Sequence, residues 1–270
     1  MKKFDSVLIC TDLDGTLYNN DKTIAKENIA AIEYFKANGG NFSFITGRPP
    51  IICSDVYDAI KPNAPFGCNN GGGVYDYKAQ KYLWSVPLEN NARILIDYIE
   101  QNMEDMGIQI NTESGIYFHK DNFAMEYFRK VTGVERVIKR YEQIPEPILK
   151  IIFATTDPLQ MDALIKLLNE HSLANEFDFI RSERILYEIV PKGIHKGVAL
   201  KKLSEIVGAK TTVAIGDYDN DIGMLKTADI GYAVQNASQN AKDAADRITV
   251  SNEQGAIAAV IAEIEKEIKG

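Results

Sequence analysis

Apolar and polar positions along this chain fall into blocks whose spacing alternates between strand-like and helix-like. Residues 7 to 11 form an unbroken apolar run, the mark of a strand buried on both faces. Ala25, Ile29, Ile32 and Phe35 follow at helical spacing, and Asn38-Gly39-Gly40 stops that helix before a second strand, Phe42 to Thr46. The same grammar returns near the C-terminus. A helix is predicted over Lys196 to Val207, closed by Gly208, then a strand over 211 to 216, a short helix after Asp219 and a strand near 230 to 234. Helices near 238 to 246 and 256 to 268 complete the pattern. Alternation of this kind predicts a parallel sheet with helices on both faces.

Between about 85 and 189 the texture changes. A helix near 89 to 103, strand-like residues 115 to 119, a strand at 148 to 154 and a helix opened by Asp157-Pro158 precede strands near 177 to 181 and 185 to 190. Asp157 as N-cap with Pro158 at the first helical position is a strong start signal. Turn-rich "PFGCNNGGG" (65 to 73) and "VPKG" (190 to 193) lie near the edges of this block. The expected organisation is one α/β core, residues 1–84 and 190–270, interrupted by an inserted domain, residues 85–189.

Composition narrows the class. With 270 residues, 45% of them hydrophobic, the chain can bury a full core. Its net charge of −8, from 38 acids against 30 bases with no basic block, argues against a nucleic-acid partner. The apolar run before Asp12 is too short for a signal-peptide core, and nothing later approaches the ~20 apolar residues of a membrane span. Cys10, Cys53 and Cys68 form no CxxC pair, and an odd number argues against a disulfide framework. A cytoplasmic protein is expected.

The chemistry is concentrated in acids. Asp12 and Asp14 follow the first strand, and Asp217, Asp219 and Asp221 follow the strand at 211 to 216, so both groups should emerge at the carboxyl edge of one sheet. So many carboxylates require a cation, and oxygen-only donors favour a hard one, Mg2+ before Zn2+. "DYDNDIG" at 217 to 223 opens like an EF-hand loop, but Ile222 and Ala228 stand where that loop needs Gly and Glu. Thr46 ends a strand and Gly47 lets the backbone approach an anion. Lys196 begins a helix, where a cation opposes the helix dipole and so hints at a purpose. His119, His171 and His195 lack metal-ligand spacing, and no GxxxxGK[ST], GxSxG or HExxH motif is present.

"DLDGT" at 12 to 16, "TGR" at 46 to 48, Lys196 and "GDYDND" at 216 to 221 resemble, in order and spacing, the four motifs of the haloacid dehalogenase superfamily of phosphatases. The long insert between the second and third motifs resembles that of the Cof-like (IIB) branch. The resemblance implies a Rossmann-like core with an α+β cap that closes over substrate. It also implies that Asp12 attacks phosphorus to form an aspartyl-phosphate, while Asp14 protonates the leaving oxygen and later deprotonates water. It places Mg2+ on Asp12, the Asp14 backbone carbonyl and Asp217, with Asp221 behind them orienting the ligands. Thr46, Gly47 and Arg48 would hold the phosphoryl oxygens, Lys196 would neutralise Asp12 and the phosphate, and Asn220 would face a small phosphorylated metabolite. A phosphomutase, or a metal-binding module without turnover, remains an alternative on the same residues; oligomeric state is open.

Overall fold

The computed structural model describes residues 2–269. The first stretch of chain forms β1 (Val7–Thr11), α1 (Lys26–Ala37), β2 (Asn41–Phe44), α2 (Ser54–Ile60), β3 (Phe66–Cys68), β4 (Gly73–Asp76) and β5 (Lys81–Ser85). The middle forms α3 (Ala92–Asn102), β6 (Gly107–Thr112), β7 (Ile116–Lys120), α4 (Phe123–Thr132), β8 (Ile148–Ala154), α5 (Pro158–Glu170), β9 (Phe177–Glu183) and β10 (Leu186–Pro191). The last stretch forms α6 (Lys196–Val207), β11 (Thr211–Gly216), α7 (Ile222–Thr227), β12 (Ile230–Ala233), α8 (Gln239–Ala244), β13 (Arg247–Ile248) and α9 (Ala256–Lys269). The chain divides into two units: residues through Trp84 with those from His195 onward, and Ser85–Ile194.

In the first unit five parallel strands lie in the order β13-β12-β11-β1-β2. β1 pairs with β11 from Val7↔Thr211 to Thr11↔Ile215, and Leu8, Ile9, Cys10, Val213, Ala214 and Ile215 are completely buried. Burial on both faces is why these strands read as continuous apolar runs rather than alternating ones. Each buried Leu, Ile or Val among them is worth about 1.5–3 kcal/mol, so the strand ends are held firmly in register. The chain therefore leaves β1 at Asp12 and β11 at Asp217 on one carboxyl edge, from neighbouring strands. That is the juxtaposition the acid spacing anticipated.

Two local expectations change. The second strand ends at Phe44 rather than Thr46; beyond it Ile45 bridges Gly67 and the Thr46 N–H donates to the Gly67 carbonyl at 3.0 Å. The segment 65 to 73 is not only turns, because β3 and the start of β4 lie inside it as part of a three-stranded β3-β4-β5 sheet. Its glycines partly reflect crowding: a Cβ on Gly67 would sit 2.8 Å from the Ile45 side chain. Helix α2, whose short apolar stripe is interrupted by polar residues, carries no signal that the periodicity isolates.

The second unit is an antiparallel sheet in the order β7-β6-β8-β10-β9. Leu95, Ile99, Leu164 and Leu168 of α3 and α5 pack with Ile110, Ile151 and Phe153, while α4 sets Ala124 and Met125 with Phe118, Ile152 and Leu186. Asp157 caps α5 as expected, accepting from the Leu159 N–H at 2.8 Å with Pro158 at the first turn. β6 and α4 lacked a clear sequence signal. The expected exit at residue 189 falls inside β10, whose Val190 and Pro191 still pair with Asp178 and Phe177 of β9; the division comes after Ile194. Among the described residues no helix is long and apolar enough to cross a membrane, and the three cysteines are free and buried.

Candidate active site

The carboxyl edge is shaped by one wide turn, Leu13–Leu17, directly after Asp12. The Asp12 N–H continues the β1 ladder by donating to Ile215 O at 2.8 Å, which fixes where the turn begins. Gly15 has φ +80, and a Cβ there would lie 2.4 Å from Asp217 Oδ2, so conformation and space both require glycine. Thr16 Oγ1 donates to Asp217 Oδ1 at 3.0 Å, and Asn236 Nδ2 donates to Gly15 O at 2.8 Å. The "DGT" of the first motif is thus the seat against which Asp217 rests.

Lys196 lies at the first position of α6, completely buried, and its Nζ donates to Asp12 Oδ1 at 2.5 Å and Asp221 Oδ1 at 2.6 Å. The cost of setting a cation at a helix start is offset by two buried carboxylates. The other Asp221 oxygen accepts from the Asp217 N–H at 2.9 Å and the Tyr218 N–H at 3.1 Å. Asp12, Asp217 and Asp221 each present an oxygen within 4.8 Å of the others. Asp221 thus lies within reach of the other two acids, with three donors already on its oxygens.

Three carboxylates face one ammonium, so the cluster carries excess negative charge. Burial pushes Asp12 up to about 8, against the pull of Lys196 and with Asp221 and Asp217 adding to the rise. Burial likewise pushes Asp217 up to about 6, with Asp221 adding and the Thr16 hydroxyl opposing. Burial alone would lower the Lys196 ammonium, but Asp12 and Asp221 outweigh it and raise it, so the lysine stays charged. An all-oxygen donor set with unbalanced negative charge fits a hard divalent cation such as Mg2+. Asp12 and Asp217 are the side chains that could hold one.

This electrostatic strain has a consequence for stability. Asp12 and Asp217 bind protons more tightly in the folded chain than in the unfolded one, so without metal the stability should fall as pH rises from about 4 to about 8. Acids held low by cations, such as Asp14 and Asp121, are already ionised above pH 5 and leave that slope unchanged. Urea unfolding in EDTA should give lower stability at pH 8 than at pH 5, and Mg2+ should restore it at pH 8. Equal stability at the two pH values would contradict the assigned cluster.

Asp14 is not one of the three clustered acids, though it lies near enough to add to the rise in Asp217. Arg48 Nη2 donates to both Asp14 oxygens at 2.8 and 3.0 Å, and Lys22 Nζ donates at 2.8 Å. Burial would push Asp14 up, but Arg48 and Lys22 outweigh it and hold the carboxyl below the usual range. Arg48, expected at the phosphate, is thus ion-paired to Asp14. Thr46 is buried, and its Oγ1 accepts from the Arg48 N–H at 3.2 Å. Asn220 Nδ2 donates to Asn70 Oδ1 at 3.3 Å, and a Cβ on Gly47 would sit 2.8 Å from that same oxygen.

Two residues of this edge went unread in the sequence. Asn70 is buried at φ +56, in a run of left-handed residues from Asn69 to Gly71, and it links the second motif to the fourth. Asn tolerates that backbone better than other side chains, so "NNG" after an apolar triplet was the available signal. Lys22, in "NNDKT", looked like an ordinary polar turn.

Comparison with known proteins gives a consistent picture. A family model described as haloacid dehalogenase-like hydrolase matches residues 9–261. A 5-amino-6-(5-phospho-D-ribitylamino)uracil phosphatase of Bacillus subtilis is 30% identical over 264 residues, covering 95% of this chain and 95% of that one. A pyridoxal phosphate phosphatase of Escherichia coli is 28% identical over 268 residues, covering 94% of this chain and 97% of the other. The crystal structure of a haloacid dehalogenase-like hydrolase from Bacteroides thetaiotaomicron superposes with a TM-score of 0.83 at 25% identity, covering 97% and 99% of the two chains.

Proposed function

The chain belongs to the haloacid dehalogenase-like hydrolases, and from that premise we propose a Mg2+-dependent phosphatase of the Cof-like subclass IIB that forms an aspartyl-phosphate on Asp12. Phosphatase activity on phosphorylated small molecules follows from the family; the metal and the covalent route are the finer reading. The observation that carries it is the buried Lys196 joining Asp12 to Asp221 beside Asp217, at the ends of two adjacent parallel strands. The named relatives act on phosphomonoesters of compact ring-bearing metabolites, and we assign this chain substrates of that size, including sugar phosphates.

Asp12 attacks phosphorus, and the bond from phosphorus to the leaving oxygen breaks as Asp14 delivers a proton; Arg48 and Lys22 hold Asp14 ionised in the free site, so it takes that proton up as Arg48 leaves it for the substrate phosphate. Water then attacks the aspartyl-phosphate, giving its proton to Asp14 and releasing inorganic phosphate. Bound to Asp12 and Asp217, with the Asp14 carbonyl alongside, Mg2+ would screen the negative charge that otherwise keeps carboxylate and phosphate apart. Lys196 neutralises the remaining charge on Asp12. Because Thr46 Oγ1 accepts from the Arg48 N–H, its hydroxyl proton is left to donate to a phosphoryl oxygen. Gly47 keeps the backbone beside it bare, and Asn220 addresses the substrate. Phosphate release from a panel of metabolites, with Mg2+ or EDTA, tests the reading; transfer to a second sugar without phosphate release would replace it with a mutase.

Asp14→Asn separates the two steps. A sugar alkoxide needs a proton to leave whereas p-nitrophenolate does not, so the variant should lose about 10²–10⁴-fold on a sugar phosphate and far less in the first step with p-nitrophenyl phosphate. Hydrolysis of the aspartyl-phosphate still lacks its base, so rapid mixing should show a nitrophenolate burst approaching one equivalent per site. Equal slowing on both substrates without a burst would move the acid and base role elsewhere.

A further inference from the structure

Lys22 is the least expected residue near this edge. Tyr18 and Ile24 form a β-bridge, the Asn19 N–H donates to Thr23 O at 2.8 Å, and the Lys22 N–H donates to Asn19 O at 2.9 Å. The Asp21 carboxylate ties the returning strand through the Thr23 N–H and hydroxyl. This is a three-residue hairpin loop whose last residue is left-handed, a corner that glycine ordinarily fills. Here it is a lysine at φ +65. Among the described residues it is the non-glycine residue of positive φ whose side chain is ion-paired to an acid of the candidate site.

Stability does not account for that choice. The lysine side chain is 67% exposed and Asp14 44%, and an ion pair this open to water contributes little. A left-handed lysine also works against the turn it closes. A residue that breaks a local rule without gain to the fold points to function. The second partner of Asp14 adds a reason: Arg48 follows Thr46 and Gly47, and an arriving phosphate dianion competes with Asp14 for its guanidinium.

We propose that Lys22 is a positioning residue that holds the Asp14 carboxyl in its working orientation when Arg48 turns to the substrate phosphate. The proposal rests on the acid and base role given to Asp14 above. Lys22 touches neither the phosphate nor the attacking oxygen; it acts through Asp14. Its loss should therefore appear in the proton-dependent chemistry and not in phosphate affinity.

The test is Lys22→Gly, which relieves the left-handed corner while removing the ion pair, with Lys22→Arg as the conservative partner. Lys22→Gly should melt at or above the wild-type temperature, yet lose about tenfold in the rate of the first step on an alkyl phosphate with KM unchanged, and only a few-fold in that step, read from the burst phase, on p-nitrophenyl phosphate. Lys22→Arg should recover most of the loss. In an Asp14→Asn background, Lys22→Gly should cost nothing further. A KM rise at constant kcat, equal losses on both substrates, a full additional loss in the Asp14→Asn background, or a lowered melting temperature would each overturn the proposal. Wild-type protein that released phosphate from neither substrate would instead overturn the phosphatase reading itself.

Discussion

Asp12→Asn is expected to lower kcat/KM on every substrate by on the order of 10⁴ or more, because the amide keeps the shape of the carboxylate but cannot attack phosphorus. The fold should survive and, without metal, gain. The amide oxygen of the variant can still accept from Lys196, whose second partner Asp221 is untouched, while one of three clustered negative charges is removed. The raised pKa of Asp12 measures the strain that this removal relieves. Thermal unfolding in EDTA at pH 8 should show an equal or higher midpoint for the variant, and acid-quenched reactions should trap no phosphoenzyme. A variant that keeps a tenth of wild-type turnover would mean the nucleophile is another residue.

Lys196→Met should injure both activity and stability. The side chain is about the same length and the site is fully buried, so packing is largely kept and the lost charge dominates. Asp12 and Asp221 would then be buried carboxylates without their common cation, a loss of about 3–5 kcal/mol by analogy with broken buried ion pairs. Lower pH should restore part of it, since protonating either acid removes the uncompensated charge. Turnover should fall by on the order of 10³, the lysine being the charge that lets Asp12 approach a phosphate dianion. Lys196→Arg should not rescue it, because a planar guanidinium does not fit the point between two carboxylates 2.5 and 2.6 Å from the ammonium. Urea unfolding and steady-state kinetics read the two effects separately; a Met variant of unchanged stability would mean the ion pairs contribute nothing in the folded chain.

What could be read from the chain alone was whatever is local. A parallel strand covered on both faces must be a continuous apolar run, so β1 and β11 declared themselves, and an acid placed just past such a run can only emerge at the carboxyl edge. The helices α1, α5 and α6 carried their own periodicity, caps and stops. The order of the four motifs then predicts Asp12, Thr46, Lys196 and Asp217 at one edge. Which oxygen faces which cation was not local. Lys196 meets Asp12 across 184 residues of sequence, and Arg48 meets Asp14 across 34, so both pairings depend on how the strand ends are brought together in space. The same reason hid Asn70 against Asn220, whereas Lys22 reaches Asp14 across only 8 residues, through a hairpin whose left-handed corner the sequence does not announce. It also hid the three strands from Phe66 to Ser85 and the antiparallel order of the inserted sheet, whose short or glycine-bearing strands become strands only when their partners arrive. Local sequence sets where a side chain leaves the backbone; the long-range pairing of elements sets the charge it meets there, and in this protein the chemistry resides in that meeting.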